Sequence, residues 1–269
     1  MVLAGVPSYE EVKDFARLLL LVQARLMPMF ILLPFMSRSM VPRTFGFAFA
    51  AGVGLIVVPM LPPASTLPTD LMLVVLLAKE AIIGLVLGYL VAIPFWVFEA
   101  IGFVVDNHRG ASMAATINPM TGSDSSPLGL LMNFTFITFF MVVGGMPIFL
   151  GLIYDSYKLW NPFDFWPAWG EGSSELLIVQ LNKMVLQCLL LASPIMIAML
   201  LAELGLALVS RFAPQLQVFF LAMPIKSALG IFVLIVYAST MLDFGLQPLH
   251  EIGTWVQRLD PLLRPGTLP

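Results

Sequence analysis

Six apolar stretches separated by polar connections constrain the fold of this chain more than any other feature. They cover residues 15–35, 45–62, 71–105, 128–154, 177–209 and 216–242. A helix needs about 20 apolar residues to cross the hydrocarbon core of a bilayer. Only 11% of the 269 residues are charged, against about a quarter in soluble domains. We therefore predict an all-α, polytopic membrane protein with a single domain over 1–269, ending in a tail at 243–269.

Two of these stretches, 71–105 and 177–209, are longer than one crossing requires. They are compatible with long tilted helices, broken helices or tight hairpins. Pro94 and Pro194 mark the expected break points, because proline removes a backbone donor and clashes with the preceding turn.

Capping residues place two helix starts. Ser8 followed by Glu11 has the spacing of a capping box, which predicts that the first helix begins near Tyr9. Ser126 followed by Pro127 has the pattern of an N-cap and an N1 proline, and predicts a second helix start there.

The distribution of basic residues predicts an orientation, because loops rich in lysine and arginine stay in the cytoplasm. Arg38 and Arg43 follow the first apolar stretch, and we place their loop inside. The connection 155–175 carries four acidic residues and one lysine, and we place it outside. Its tryptophans and phenylalanines suit a membrane–water boundary. This orientation counts each apolar stretch as one crossing.

Charged residues inside the apolar stretches are the main departure from lipid-facing helices. The six deepest are Arg25, Lys79, Glu80, Glu99, Glu203 and Lys226. Each would cost about 2.5–3.5 kcal/mol at the centre of a spanning helix on insertion scales, so partners are required. Three interpretations remain open: ion pairs within the chain, a path for protons or substrate, and contacts with other subunits.

Glu80 shares one helix face with Gly84 and Gly88, at i+4 and i+8. The Gly-x-x-x-Gly spacing allows another helix to approach closely. We therefore expect this face to be buried against protein. Cys188, the single cysteine, lies in an apolar run and is expected to be a small core residue.

Residues that carry enzymatic chemistry are sparse. The only histidines are His108 and His250, and no HExxH, Walker or GxGxxG pattern occurs. Asp106, His108 and Arg109 form a polar group after a long apolar stretch, without a recognisable nucleophile and base. The net charge of −3 provides no strongly basic face for nucleic acid. We expect no enzyme, cofactor, metal site or nucleic-acid partner.

The connection 106–127 combines flexible and soft apolar residues. These are Gly110, Met113, Ile117, Pro119 and Met120. Such residues suit a seal that changes shape, but an ordinary connector with some buried side chains has the same composition. Among functions, the main alternative to a subunit of a larger assembly is a small-solute secondary transporter, in which Glu80 or Glu203 would titrate.

Four segments carry a resemblance to a known family. They are RLMPMFILLPFMSRSMVP (25–42), KEAIIGLVLG (79–88), the region from Asp106 through Arg109-Gly110 and Asn118-Pro119 to Gly129, and RFAPQLQVF with MPIK (211–226). In this order and spacing they resemble the T component of the type III secretion export apparatus, a family shared with the flagellar export protein R. The Arg109-Gly110 pair and the Ser-Ser-Pro-Leu-Gly run resemble the injectisome branch. Gln217 departs from the asparagine that the family pattern leads us to expect.

The resemblance implies a core subunit of the export gate. Family members form a helical gate with the R and S components, the U component wraps the closed gate, and the V component is a further expected partner. Unfolded effector and needle proteins pass through the channel. The implied fold is a set of inclined helical hairpins stacked in a helical assembly. The implied location is the bacterial inner membrane, with part of the assembly at the periplasmic face.

The resemblance also implies roles for particular residues. The deep charges would contact other subunits. The connection 106–127 would belong to the plug that narrows the channel. Its gate residues would be Arg109, Gly110, Met113, Ile117, Asn118, Pro119 and Met120.

Overall fold

The computed structural model describes residues 8–36, 41–61, 70–110, 126–164, 173–213 and 218–263. The helices are α1 (Tyr9–Leu32), α2 (Arg43–Val57), α3 (Asp70–His108), α4 (Pro127–Val142), α5 (Gly145–Leu159), α6 (Ser173–Phe212) and α7 (Val218–Leu263), with short 3-10 turns at Pro34–Met36 and Val58–Met60. Throughout these described ranges there is no β-strand, and the predicted all-α fold is confirmed.

Both predicted helix starts are confirmed. The Ser8 hydroxyl accepts a hydrogen bond from the Glu11 backbone N–H at 3.3 Å, and the Glu11 carboxylate accepts one from the Ser8 N–H at 2.8 Å. This reciprocal pair is the capping box. At the start of α4 the Ser126 hydroxyl accepts from the Gly129 N–H at 2.8 Å, and Pro127 occupies the first helical turn.

The two longest stretches form single helices. α3 continues through Pro94 over 39 residues, and α6 continues through Pro194 over 40 residues. Neither proline interrupts its helix, and the hairpin and broken-helix alternatives are wrong. Each proline removes one backbone hydrogen bond, and intact bonds in the neighbouring turns keep the helix continuous. α7 is also longer than expected, because it continues to Leu263 through most of the predicted tail.

The stretch 128–154, in contrast, is broken. α4 ends at Val142 and α5 begins at Gly145. Gly144, between them, has φ +85°, a left-handed conformation that glycine adopts without the steric cost borne by other residues. α2 has 15 residues and spans about 22 Å at 1.5 Å per residue. Among the described helices, four are long and apolar enough to cross a membrane, or up to five if α4 and α5 count as one span. This replaces our count of six crossings.

Contacts divide the chain into two compact units, and we use these names below. Unit 1 comprises Met1–Ala92, Pro147–Glu175 and Ile252–Pro269, and unit 2 comprises Ile93–Met146 and Leu176–Glu251. The core of unit 1 includes an edge-to-face aromatic cluster in which the ring centroid of Phe30 lies 5.7 Å from Phe49 and 5.8 Å from Phe149.

The core of unit 2 contains a second aromatic cluster, made by α3 and α4. Phe136 stacks on Phe98 at 4.3 Å between ring centroids and meets Phe95 edge-to-face at 5.1 Å. Cys188 is buried, as predicted. Outside this core, α6 and α7 are largely uncovered: 28% and 11% of their most apolar segments are buried, against 67% for α3. Unit 2 therefore presents two long apolar helix surfaces.

Candidate functional site

Three of the deep charges meet inside unit 1. Arg25 of α1 and Lys79 and Glu80 of α3 have side chains that are 1%, 3% and 0% exposed. Nε of Arg25 lies 2.6 Å from Oε2 of Glu80, and Nζ of Lys79 lies 2.9 Å from Oε1 of the same carboxylate. One carboxylate therefore bridges two cations in a site that water does not reach. We call these three residues the buried charge cluster.

The arginine of this cluster also binds the end of α5. Its Nη1 donates to the backbone oxygen of Ser156 at 2.8 Å, and its Nη2 donates to the backbone oxygen of Trp160 at 2.9 Å. The guanidinium lies over the Tyr157 ring, 4.1 Å from the centroid. The last carbonyls of a helix lack partners within the helix and carry partial negative charge. The buried Arg25 guanidinium donates hydrogen bonds to these carbonyls, and its positive charge offsets their partial negative charge.

Lys79 extends the same arrangement beyond the helix end. Its ammonium donates to the backbone oxygens of Pro162 at 2.9 Å and Asp164 at 2.7 Å. Arg25 and Lys79 together thus fix the chain where α5 passes into the connection 155–175. This placement favours ion pairing within the chain for the buried charge cluster. These side chains are enclosed by their own unit rather than presented to another subunit.

Gly84 and Gly88 explain why Arg25 can reach Glu80. A Cβ at Gly84 would clash with the backbone carbonyl of Arg25, and a Cβ at Gly88 would lie 2.9 Å from Cα of Met29. The contacts advance in the same chain direction on both helices, so α1 and α3 run parallel here. The glycine face is packed directly against the backbone of α1.

A second polar site lies at the base of the connection 106–127, in unit 2. Oδ2 of Asp106 accepts from the Ser126 hydroxyl at 2.5 Å and from the Leu128 N–H at 2.9 Å. Oδ1 pairs with Nη2 of Arg109 at 2.6 Å. Nη1 of Arg109 in turn donates to the Ser227 hydroxyl of α7 at 3.4 Å. The ends of α3 and α4 are thus joined through one carboxylate.

Close backbone contact brings these helix ends together. A Cβ at Gly102 would lie 2.5 Å from the Leu128 oxygen and 2.6 Å from Cα of Gly129. One turn earlier on α3, Glu99 accepts a hydrogen bond from the side-chain amide of Asn133 at 3.1 Å. Only glycines permit this close approach between the backbones of α3 and α4. The approach places Asp106 beside the first turn of α4.

Of the seven predicted gate residues, two lie among the residues that the structure describes. Arg109 and Gly110 lie at the end of α3, where Gly110 has φ +87° and ends the helix in a left-handed turn. Five further gate residues lie outside the described residues: Met113, Ile117, Asn118, Pro119 and Met120. Ser227 was missed from the sequence, because no local pattern connects it to a residue 118 positions away.

Two of the three remaining deep charges, Glu203 and Lys226, pair near the surface of unit 2. Nζ of Lys226 lies 3.1 Å from Oε2 of Glu203, and the two side chains are 12% and 49% exposed. Leu200 and Leu204, next to Glu203 on α6, are also exposed. A half-exposed carboxylate therefore lies within an apolar helix surface. Among the residues that the structure describes, no group of three or more potential metal ligands occurs.

Comparison with known proteins identifies the family over most of the chain. The family model described as "Bacterial export proteins, family 1" matches residues 16–251. Yop proteins translocation protein T of Yersinia pestis is 38% identical over 241 residues, covering 89% of this chain and 92% of that protein. Surface presentation of antigens protein SpaR of Shigella flexneri is 33% identical over 237 residues, covering 87% and 90%. Flagellar biosynthetic protein FliR of Bacillus subtilis is 27% identical over 223 residues, covering 82% and 86%. The resemblance inferred from the four sequence segments is thereby confirmed, and the chain belongs to the bacterial export proteins, family 1.

Proposed function

We propose that this chain is a core subunit of the type III secretion export gate. With the R and S components it forms the channel through which unfolded effector and needle proteins cross the bacterial inner membrane. The observation that carries the proposal is the family match over residues 16–251, supported by similarity to a protein named for translocation of Yop proteins. Its role is structural and not enzymatic.

The uncovered surfaces of α6 and α7 support a place inside an assembly. Lipid alone would suit their leucines, but it would not suit Glu203, whose side chain stays half-exposed although Lys226 pairs with it, because an exposed ionised carboxylate is costly in hydrocarbon. A neighbouring subunit that offers a hydrogen-bond donor or a cation removes this cost. We therefore assign the surface around Glu203 and Lys226 to contacts with the R and S components. The U and V components contact the assembled gate, part of which lies at the periplasmic face.

Replacing both members of this pair distinguishes a surface that faces lipid from one that contacts another subunit. Glu203→Leu combined with Lys226→Leu removes both charges together, so that neither is left unpaired. If neighbouring subunits bind here, we expect the amount of co-purified R and S components to fall about tenfold, because a charge-assisted contact is lost. The measurement is quantitative mass spectrometry of the tagged, detergent-solubilised complex. The matched control is Asp155→Asn, which removes the exposed pair with Lys158. Intact complexes from the double variant would show that this surface faces lipid.

The connection 106–127 is proposed to narrow the channel. Its gate residues are Arg109, Gly110, Met113, Ile117, Asn118, Pro119 and Met120. Replacing Met113, Ile117 and Met120 by glycine removes the apolar bulk that would exclude water and ions. We expect the closed complex to become leaky, with a higher conductance in planar bilayers. The same three positions replaced by leucine preserve apolar volume and should stay closed. Equal conductance of the glycine variant and the wild type would contradict the plug role.

Gene deletion tests the proposed function as a whole. In the bacterium that encodes this chain, deletion should abolish secretion of needle and effector proteins, and the wild-type gene should restore it. A small-solute transporter would instead leave secretion intact and change the uptake of a solute. Glu80, one of the groups that such a transporter would titrate, is enclosed by Arg25 and Lys79, an arrangement that suits a structural role.

A further inference from the structure

We infer that Asp106 is a positioning residue that clamps the end of α3 to the start of α4, where the connection 111–125 leaves and rejoins the described helices. The inference concerns the geometry of unit 2 and adds a residue to the proposed gate. Only one part rests on the proposed function: the effect on the channel when the contacts of Asp106 are lost.

Both carboxylate oxygens of Asp106 have partners, and these partners lie at opposite ends of the connection. Oδ1 binds Arg109, the last residue before Gly110, at 2.6 Å. Oδ2 binds the Ser126 hydroxyl at 2.5 Å and the Leu128 N–H at 2.9 Å. The Asp106 side chain is only 4% exposed, so water cannot easily replace either interaction. A single buried carboxylate therefore links residues that are 17 or more positions apart in the chain.

The hydroxyl of Ser126 extends this link into α4. It donates its proton to Asp106 and accepts from the Gly129 N–H at 2.8 Å. The first N–H groups of a helix need external acceptors, and negative charge is favourable at this end of the helix dipole. Without Asp106, the buried Leu128 N–H would lose its acceptor and Ser126 would lose the group that orients its hydroxyl.

Arg109 connects the clamp to a third helix. Its second guanidinium nitrogen reaches the Ser227 hydroxyl of α7 at 3.4 Å. A Cβ at Gly110 would lie 3.8 Å from the Met223 side chain on the same helix, so this turn also packs against α7. A movement that separates Arg109 from Asp106 would therefore change the contacts among α3, α4 and α7.

The same geometry argues against chemistry at the polar group of Asp106, His108 and Arg109. Both Asp106 oxygens already have partners, and the carboxylate is almost fully covered by unit 2. The carboxylate is enclosed by protein groups, an arrangement that suits a positioning role. The tightly packed Gly102 and Gly129 nearby are likewise explained by positioning of helix ends.

Hydrogen exchange of the full-length protein in its complex tests the clamp. Three variants isolate the two sides of the carboxylate. Asp106→Asn keeps an acceptor for Leu128 but loses the ion pair with Arg109, so we expect exchange to rise about tenfold in peptides containing 107–110. Ser126→Ala should act mainly on peptides containing 126–130. Asp106→Ala should raise exchange at both ends, and peptides from 20–32 of α1 should stay unchanged in every variant. Asp155→Asn, which removes an exposed pair, is the control.

The clamp is overturned if Asp106→Ala loosens only one end, or if it raises exchange equally throughout both units. Should Asp106→Ala fail to fold, the near-isosteric Asp106→Asn decides, and unchanged exchange at 107–110 would overturn the clamp. Conductance of the same complexes distinguishes this inference from the proposed function. Raised exchange with wild-type conductance supports the clamp and contradicts the plug role, whereas raised exchange with a leak supports both.

Discussion

Glu80→Ala is expected to destabilise unit 1 by about 3–5 kcal/mol, because removing one partner of a buried ion pair leaves an uncompensated buried charge. Here the loss is shared by two cations: Arg25 and Lys79 would both remain enclosed without their carboxylate. Repulsion between them would act on α1 and α3, and the hydrogen bonds at the end of α5 would weaken with it. Thermal unfolding of the purified full-length chain in detergent measures the effect.

The control for this prediction is an exposed pair between an ammonium group and a carboxylate. Lys158 and Asp155 of α5 lie 2.9 Å apart with side chains 65% and 54% exposed. Lys158→Ala should change stability by no more than about 1 kcal/mol, because exposed pairs are screened by water and salt. Similar losses from Glu80→Ala and Lys158→Ala would contradict the buried charge cluster. If Glu80→Ala is the more damaging change, as predicted, a drop in its co-purified partners follows from the damage to unit 1 and not from a lost subunit contact.

Gly84→Ala is expected to destabilise the chain by about 1–3 kcal/mol through overpacking. The added methyl group would meet the backbone carbonyl of Arg25, and a helix backbone cannot turn aside as a flexible side chain can. The expected result is separation of α1 from α3, measured as a lower unfolding temperature in detergent. Gly84→Leu should prevent the packing altogether.

Gly52→Ala is the matched control, in the same unit and also inside a helix. No atom lies within 4 Å of a Cβ built at Gly52, and alanine is favoured over glycine in helices by about 0.5–1 kcal/mol. The two glycine substitutions should therefore have opposite signs. Destabilisation by Gly52→Ala as large as that by Gly84→Ala would indicate that close contact with α1 is not the cause.

These two predictions are physically coupled. The absence of a side chain at Gly84 lets α1 approach α3, and that approach puts the Arg25 guanidinium within 2.6 Å of Glu80. Residues that share a contact give non-additive effects. A chain carrying Gly84→Ala and Glu80→Ala should be less destabilised than the sum of the single variants, because the first change has already weakened the interaction that the second removes.

Local sequence signals predicted the parts of the fold that depend on neighbouring residues. Ser8 and Ser126 cap their helices as expected, since a cap involves residues only three positions away. Hydropathy also identified which charges needed partners. It could not identify the partners, because Arg25 and Glu80 are 55 positions apart and the cluster binds backbone carbonyls, which no side-chain pattern reveals.

The errors have a common physical origin. Pro94 was expected to interrupt α3, but a proline removes one hydrogen bond, and the surrounding residues Val91, Ile93 and Phe95 are buried, so packing holds the helix together. The break in the stretch 128–154 was missed because the apolar run continues across it. Its signal was the Gly144-Gly145 pair, of which Gly144 adopts a positive φ. In both places tertiary packing and backbone conformation outweighed average hydropathy.

Affinity purification of the tagged chain in mild detergent, followed by native mass spectrometry, tests the assignment to the export gate most directly. The wild-type chain is predicted to emerge in a large hetero-oligomer that contains the R and S components. The Glu203→Leu, Lys226→Leu double variant should lose much of that mass under the same conditions, while Asp155→Asn should retain it. A wild-type chain recovered alone or as a homodimer would contradict the export-gate assignment.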